Sequence, residues 1–150
     1  MNINMLRDSD DDAGFYAAGC RADSTARWRG AQIYVSSDAG ANYSSLAAIA
    51  NEATIGVATN VLGDFAGGNI PDESNVLNVD LYAGSLSSTD NTGLLAGTMT
   101  LVYGEEIIYA RDAVIQGDGT YNVSGLLRGR RGTEYAMGTV SYTHLRAHET

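Results

Sequence analysis

The chain has 150 residues, a formal net charge of −9 at neutral pH, nine basic side chains that are all arginine, and a single cysteine, Cys20. An acidic surface of this kind excludes general nucleic-acid binding, which needs a basic footprint, and one cysteine excludes an internal disulfide. Eighteen glycines against one proline, with many serines, asparagines and aspartates, is the composition of a turn-rich β protein, and no apolar run is long enough to span a bilayer.

The first segment carries Asp8, Asp10, Asp11 and Asp12. The Asp8-x-Asp10-x-Asp12 spacing is that of a calcium loop, but Ala13 stands where an EF-hand needs glycine and Gly19 where it needs a bidentate glutamate. A solvated acidic loop is expected, with no metal site and no cofactor. Cys20 reads as a small, inert, partly buried side chain.

From Trp28 to Ser36 the pattern alternates, with Ala31, Ile33 and Val35 set against Gln32, Tyr34 and Ser36, the period of a half-buried strand. A turn at Ser37–Gly40 and a return from Tyr43 to Ile49 predict a hairpin with a loop of four to six residues. Ser36-x-Asp38-x-Gly40-x-x-Tyr43 matches the Asp-box pattern, in which the aspartate accepts backbone N–H groups and the glycine supplies a positive φ. With one copy in the chain, a self-bonded turn is expected here and not a catalytic aspartate.

Thr54–Ala58 predicts a short strand, Leu62–Glu73 a loop broken by Gly67-Gly68 and Pro71-Asp72, and Val76–Tyr82 a strand with Leu77, Val79 and Leu81 on one face. Residues 83–93 read as polar turn. Met99–Val102, Glu106–Ile115 and Thr120–Leu127 predict a three-stranded meander, turned at Gly104 and at Gly117-Asp118-Gly119. The fold class is mainly β: an antiparallel sandwich or open barrel built from hairpins and a C-terminal meander.

The most informative stretch is Leu126-Leu127-Arg128-Gly129-Arg130-Arg131-Gly132-Thr133-Glu134. Gly129 and Gly132 permit a tight reversal that sends Arg128, Arg130 and Arg131 out in different directions. Guanidinium groups bind carboxylates in fork geometry and desolvate more readily than lysine. Glu105, Glu106, Asp112 and Glu134 are candidate partners, and Thr133-Glu134 is placed to cap a short helix through Met137. A phosphate-binding Gly-x-x-x-x-Gly-Lys pattern is absent, so charge pairing within the domain or with a neighbouring subunit is the expected role. Glu105-Glu106 does not make a glycosidase pair, because adjacent strand residues face opposite ways.

Residues 140–150 look like the translation of a transposon-end adapter used in sequencing libraries, and they hold both histidines, His144 and His148. The domain is therefore expected to span residues 1–139, with 140–150 a non-native tail and no histidine chemistry.

Four blocks occur in an order similar to that of the C-terminal region of phage and gene-transfer-agent tail-tip proteins, the baseplate hub or host-specificity proteins. They are the Asp-rich opening with Gly14-Phe15-Tyr16; Trp28-x-Gly30-Ala31 with Tyr34-x-Ser36-x-Asp38; Leu81-x-x-Gly84-x-Leu86 with the serines that follow; and LLRGxxGTE at 126–134. Thr98-Met99 departs from the pattern, where relatives more often carry asparagine after the glycine. The resemblance implies a non-enzymatic structural and interaction module acting in tail assembly, host attachment and DNA delivery. It implies other tail proteins as partners, a homo-oligomeric ring, contact with an envelope glycan or protein, no nucleic-acid recognition by this domain and no membrane span. The location implied is the virion tail tip, after synthesis in a bacterial cytoplasm. The runner-up is a carbohydrate-binding or sialidase-like domain, suggested by the single Asp-box and nine tyrosines.

Overall fold

A computed structural model describes Leu6, residues 14–22 and 25–138, and the backbone of 144–149. The chain is mainly β and wholly antiparallel in its strand pairing. A two-stranded hairpin, β1 (Ala31–Val35) with β2 (Ser44–Ile49), stands apart from a six-stranded barrel. The barrel strands are β3 (Thr54–Ala58), β4 (Leu77–Ala83), β5 (Met99–Tyr103), β6 (Glu106–Ile115), β7 (Tyr121–Arg130) and β8 (His144–Glu149). Around the ring the order is β3-β4-β7-β6-β5-β8. Strands β5, β6 and β7 form the expected meander, and the barrel alternative is the one realised; among the described residues no second sheet stacks on it to make a sandwich.

Strand β8 lies in the stretch expected to be a non-native tail. It pairs with β3 on one side and β5 on the other, and without it the five remaining strands would be a curled open sheet. Strand pairing is made by backbone N–H and C=O groups, which any proline-free stretch supplies. The alternation of Leu145 and Ala147 with His144, Arg146 and His148 has the same period of two. Neither observation bears on where the stretch came from.

The barrel interior is filled by Leu77 and Val79 of β4, Met99, Leu101 and Tyr103 of β5, Ile108 and Ala110 of β6, and Val123 and Leu126 of β7. Leu62 follows β3 and Leu86 follows β4, so the two buried side chains close the core from opposite ends. A second cluster lies on the other face of the meander. There Leu94 of α1 (Asn91–Ala96) packs with Ile107, Tyr109 and Leu127. This short helix is not foreseen by the reading of 83–93 as turn. Six residues are too few to show a helical period, and its signal is in the caps: Asp90 accepts from Gly93 N at 2.7 Å, and Gly97 closes the helix at φ 71°.

The hairpin differs from expectation in two ways. Its loop runs from Ser36 to Tyr43, longer than the four to six residues predicted, and it is not half-buried: only Ile33 and Ile49 of its strand residues are shielded from full exposure. Alternation in the sequence marks a strand but does not supply something for it to pack on. The hairpin is anchored at its base, where Trp28 Nε1 donates to Ala50 O at 2.9 Å, Ala53 N donates to Gly19 O at 2.8 Å, and Arg21 meets Glu52 at 3.3 Å. Cys20 is a half-buried free thiol in this anchoring segment. The aspartate loop at 8–12 lies outside the described residues.

Removing residues 139–150 is expected to lower the melting temperature and to speed amide exchange in β3 and β5, the two strands that would lose a neighbour. Unchanged exchange in both would show that ring closure contributes nothing to their protection.

Candidate functional site

The reversal expected across Gly129–Gly132 falls at the far end of that stretch. Strand β7 runs on through Arg130, and the reversal comes at Arg131, Gly132 and Thr133, with positive φ at Arg131 (60°) and Gly132 (77°). Gly129 lies within the strand at φ 58°, and a Cβ there would sit 2.8 Å from Glu134 Cα, so both the conformation and the packing demand glycine.

Strand alternation puts Arg128 on the same face as Leu126 and Glu106 on the same face as Ile108, at the barrel end covered by the 59–76 loop. Arg128 Nε donates to Glu106 Oε1 at 2.7 Å and Nη2 to Oε2 at 2.9 Å, a bidentate fork between side chains each 1% exposed. Nη1 donates to Gly63 O at 3.0 Å and reaches Asp72 Oδ2 at 3.5 Å. Glu106 is thus the one of the four candidate acids that Arg128 grips, while Asp72, which sequence reasoning missed, supplies a second carboxylate. Asp112 pairs with Arg111 instead.

Two carboxylates and one guanidinium leave a formal excess of one negative charge, which would be prohibitive in an apolar interior without further donors. Those donors are present. Gly129 N donates to Glu106 Oε1 at 2.9 Å; Asp72 accepts from Ser74 N, Ser74 Oγ, Asn75 N and Asn75 Nδ2 at 2.6–3.1 Å. Burial alone would raise the Asp72 pKa, but the Asn75 and Ser74 hydrogen bonds outweigh it and hold the carboxyl below its ordinary 3.8. Asp72 is further fixed through its backbone, donating to Leu126 O at 2.7 Å and accepting from Leu126 N at 3.1 Å. The next residue, Glu73, turns outward and forks Arg111 of β6 at 2.8 and 3.0 Å.

The other two arginines converge on one tyrosine. The Arg130 guanidinium lies 5.4 Å from the centroid of the Tyr109 ring, and its Nη1 donates to Asn69 Oδ1 at 2.7 Å. Arg131 Nε donates to Tyr109 Oη at 3.0 Å. Thr133 takes a different role from the helix cap expected of it. Its hydroxyl donates to Arg130 O at 2.7 Å and accepts from Ile107 N at 2.9 Å, while the 3₁₀ turn Glu134–Ala136 has no side-chain cap. Glu134 is exposed, and Glu105 projects to solvent opposite the buried Glu106.

In the hairpin loop, Asp38 Oδ1 accepts from Ser36 Oγ at 2.8 Å and Asn42 N at 2.9 Å, and Oδ2 accepts from Asn42 Nδ2 at 2.7 Å. Gly40, at φ 92°, donates to Ser36 Oγ at 2.8 Å. The bonds from Asn42, then Ser36, lower the Asp38 pKa to about 2. The carboxylate is committed to its own loop. Among the described residues no three potential metal-ligating side chains cluster, and no helix is long and apolar enough to cross a membrane.

Arg128→Ala should destabilise the isolated chain by about 3–5 kcal/mol, since it strands two buried carboxylates; a loss under about 1 kcal/mol in chemical denaturation would contradict the role assigned to it. Asp72 titrates below its unfolded value, so its contribution is present above pH 3.8 and is lost as pH falls through the folded pKa. Asp72→Asn should therefore flatten the acid limb of the stability–pH profile. For Asp38, carbon-detected NMR should show a titration midpoint near 2; a midpoint at the ordinary carboxylate value would mean the loop bonds do not persist in solution.

A search of curated proteins finds no match to the chain. The family model described as Rcc01698-like, C-terminal matches residues 53–144, which covers the barrel from just before β3 to the first residue of β8, and so takes in the Arg128–Glu106–Asp72 cluster. With more than half of its length matched, the chain belongs to the Rcc01698-like, C-terminal family.

Proposed function

We propose that the chain is a structural and interaction module of a tail-tip, or baseplate hub, protein of a phage or gene-transfer agent, serving tail assembly, host attachment and DNA delivery, without a catalytic role. The observation that carries this reading is the ordered series of four sequence blocks ending in LLRGxxGTE at 126–134. The internal engagement of Arg128 supports a framework role for that block: a side chain 1% exposed and forked by Glu106 is holding the barrel end together and is not available to a ligand. In this reading the module sits in a homo-oligomeric ring with other tail proteins at the tip of the particle.

A second reading is favoured by one feature. Tyr34 and Tyr43 are 59% and 67% exposed and flank the Asp38 loop, as aromatic side chains that stack on sugars would. It makes the hairpin a carbohydrate-binding element, for an envelope glycan.

Recovering the flanking DNA tests the first reading: tape-measure, tail-assembly and hub reading frames should adjoin this one, and antibody against the chain should label one end of the particles in electron micrographs. Flanking genes of an unrelated pathway and unlabelled tails would sink it. Glycan-array binding by the chain, abolished by Tyr34→Ala or Tyr43→Ala, would move the assignment to the second reading.

A further inference from the structure

The barrel has no free edge, but the hairpin has two. Among the described residues β1 and β2 pair only with each other, so each presents to these residues one unpaired row of backbone N–H and C=O groups. Proteins protect such edges with charges, prolines, bulges or covering elements. Here β2 has a bulge: the register slips between Ile33 and Tyr34, and Leu46 is the extra residue opposite them. Strand β1 has no such device. It reads Ala31-Gln32-Ile33-Tyr34-Val35, without charge or proline, and every residue except Ile33 is exposed. Asp38 is the only charged residue between Arg29 and Glu52, in a chain whose net charge is −9.

We propose that β1 is a self-association edge, on which a second copy of this chain docks its own β1 antiparallel about a two-fold axis through Ile33. Charge argues for this occupant. Two copies of a strongly acidic chain repel wherever their charged surfaces meet, and the uncharged hairpin is where they can approach without that penalty. Geometry argues for it as well. A strand laid antiparallel on itself is in register by symmetry, matching Ile33 with its counterpart, Gln32 with Tyr34 and Ala31 with Val35. The product is a four-stranded sheet in the order β2-β1-β1-β2, in which both outer edges are bulged. It also removes the weakness of an isolated two-stranded ribbon, which is marginal on its own in water. The inference does not depend on the tail-tip reading: a dimer edge can exist whatever particle or cell the chain serves.

Sedimentation velocity of the whole chain across a concentration series should show a monomer–dimer equilibrium. Ile33→Lys and Ile33→Glu each place like charges face to face across the axis, and each alone should weaken dimerisation by more than about tenfold. Mixed in equal amounts they should recover a heterodimer, which a variant that had merely misfolded could not do. A chain that stays monomeric at high concentration overturns the proposal. So does a dimer that both variants leave intact, or one that the mixture fails to restore while each variant keeps the wild-type circular dichroism.

Discussion

The Arg128–Glu106 fork is the contact on which the closed end of the barrel depends. It joins β6 to β7 from within, and through Gly63 O and Asp72 it draws the long 59–76 loop over the core. A buried ion pair is not strongly stabilising in itself, because desolvation offsets most of the Coulomb gain. Its value is directional. An apolar side chain at 128 could fill the space, but it would not require an acid at 106, a carbonyl at 63 and a carboxylate at 72 in fixed positions. The surrounding donors make the arrangement tolerable, and they are local: four from Ser74 and Asn75, backbone and side chain, and one from Gly129 N.

The same segment is fixed from the outside as well. Glu73 holds Arg111, and Asn69 holds Arg130, whose guanidinium covers Tyr109. The meander is therefore clasped on both faces, by Leu62 and the ion cluster within and by α1 and Tyr109 without. The family match covers this clasped unit and leaves the hairpin outside. That division follows the physics: the barrel has a core of its own, and the hairpin has none.

Much of the architecture was legible in the sequence because strand alternation and glycine turns are local signals. Seven of the strands, β1 to β7, fall where alternation and turn residues put them, and Glu105 is exposed where its neighbour Glu106 is buried. What was not legible is long-range. Asp72 sits in a loop 56 residues before Arg128, and nothing in Pro-Asp-Glu-Ser-Asn announces a buried acid except that Asp, Ser and Asn can bond one another. The exposure of the hairpin could not be read from its alternation, since period two records which residues share a face and not whether that face is covered. The capacity of 144–149 to close the ring is hidden for a different reason: likeness to adapter sequence says nothing of backbone pairing, which any proline-free stretch can make.

The adjacent acids Asp72 and Glu73 have a consequence for how this family can vary in length. They point to opposite sides of the loop, one into the barrel end and one to its surface, and each has its own arginine. Residues can be added or lost between Gly63 and Asn69 at the modest entropic cost of a longer or shorter loop, since Leu62, Gly63 and Asn69 are the points that hold it. A single residue inserted or deleted between Asp72 and Asn75 is different. It would separate the buried carboxylate from the amides that solvate it, or bring the longer glutamate to the inner seat. Length variation should therefore accumulate between Gly63 and Asn69 and be nearly absent from Pro71 to Asn75, so that a loop of about eighteen residues divides into a tolerant stretch and one as fixed as any strand.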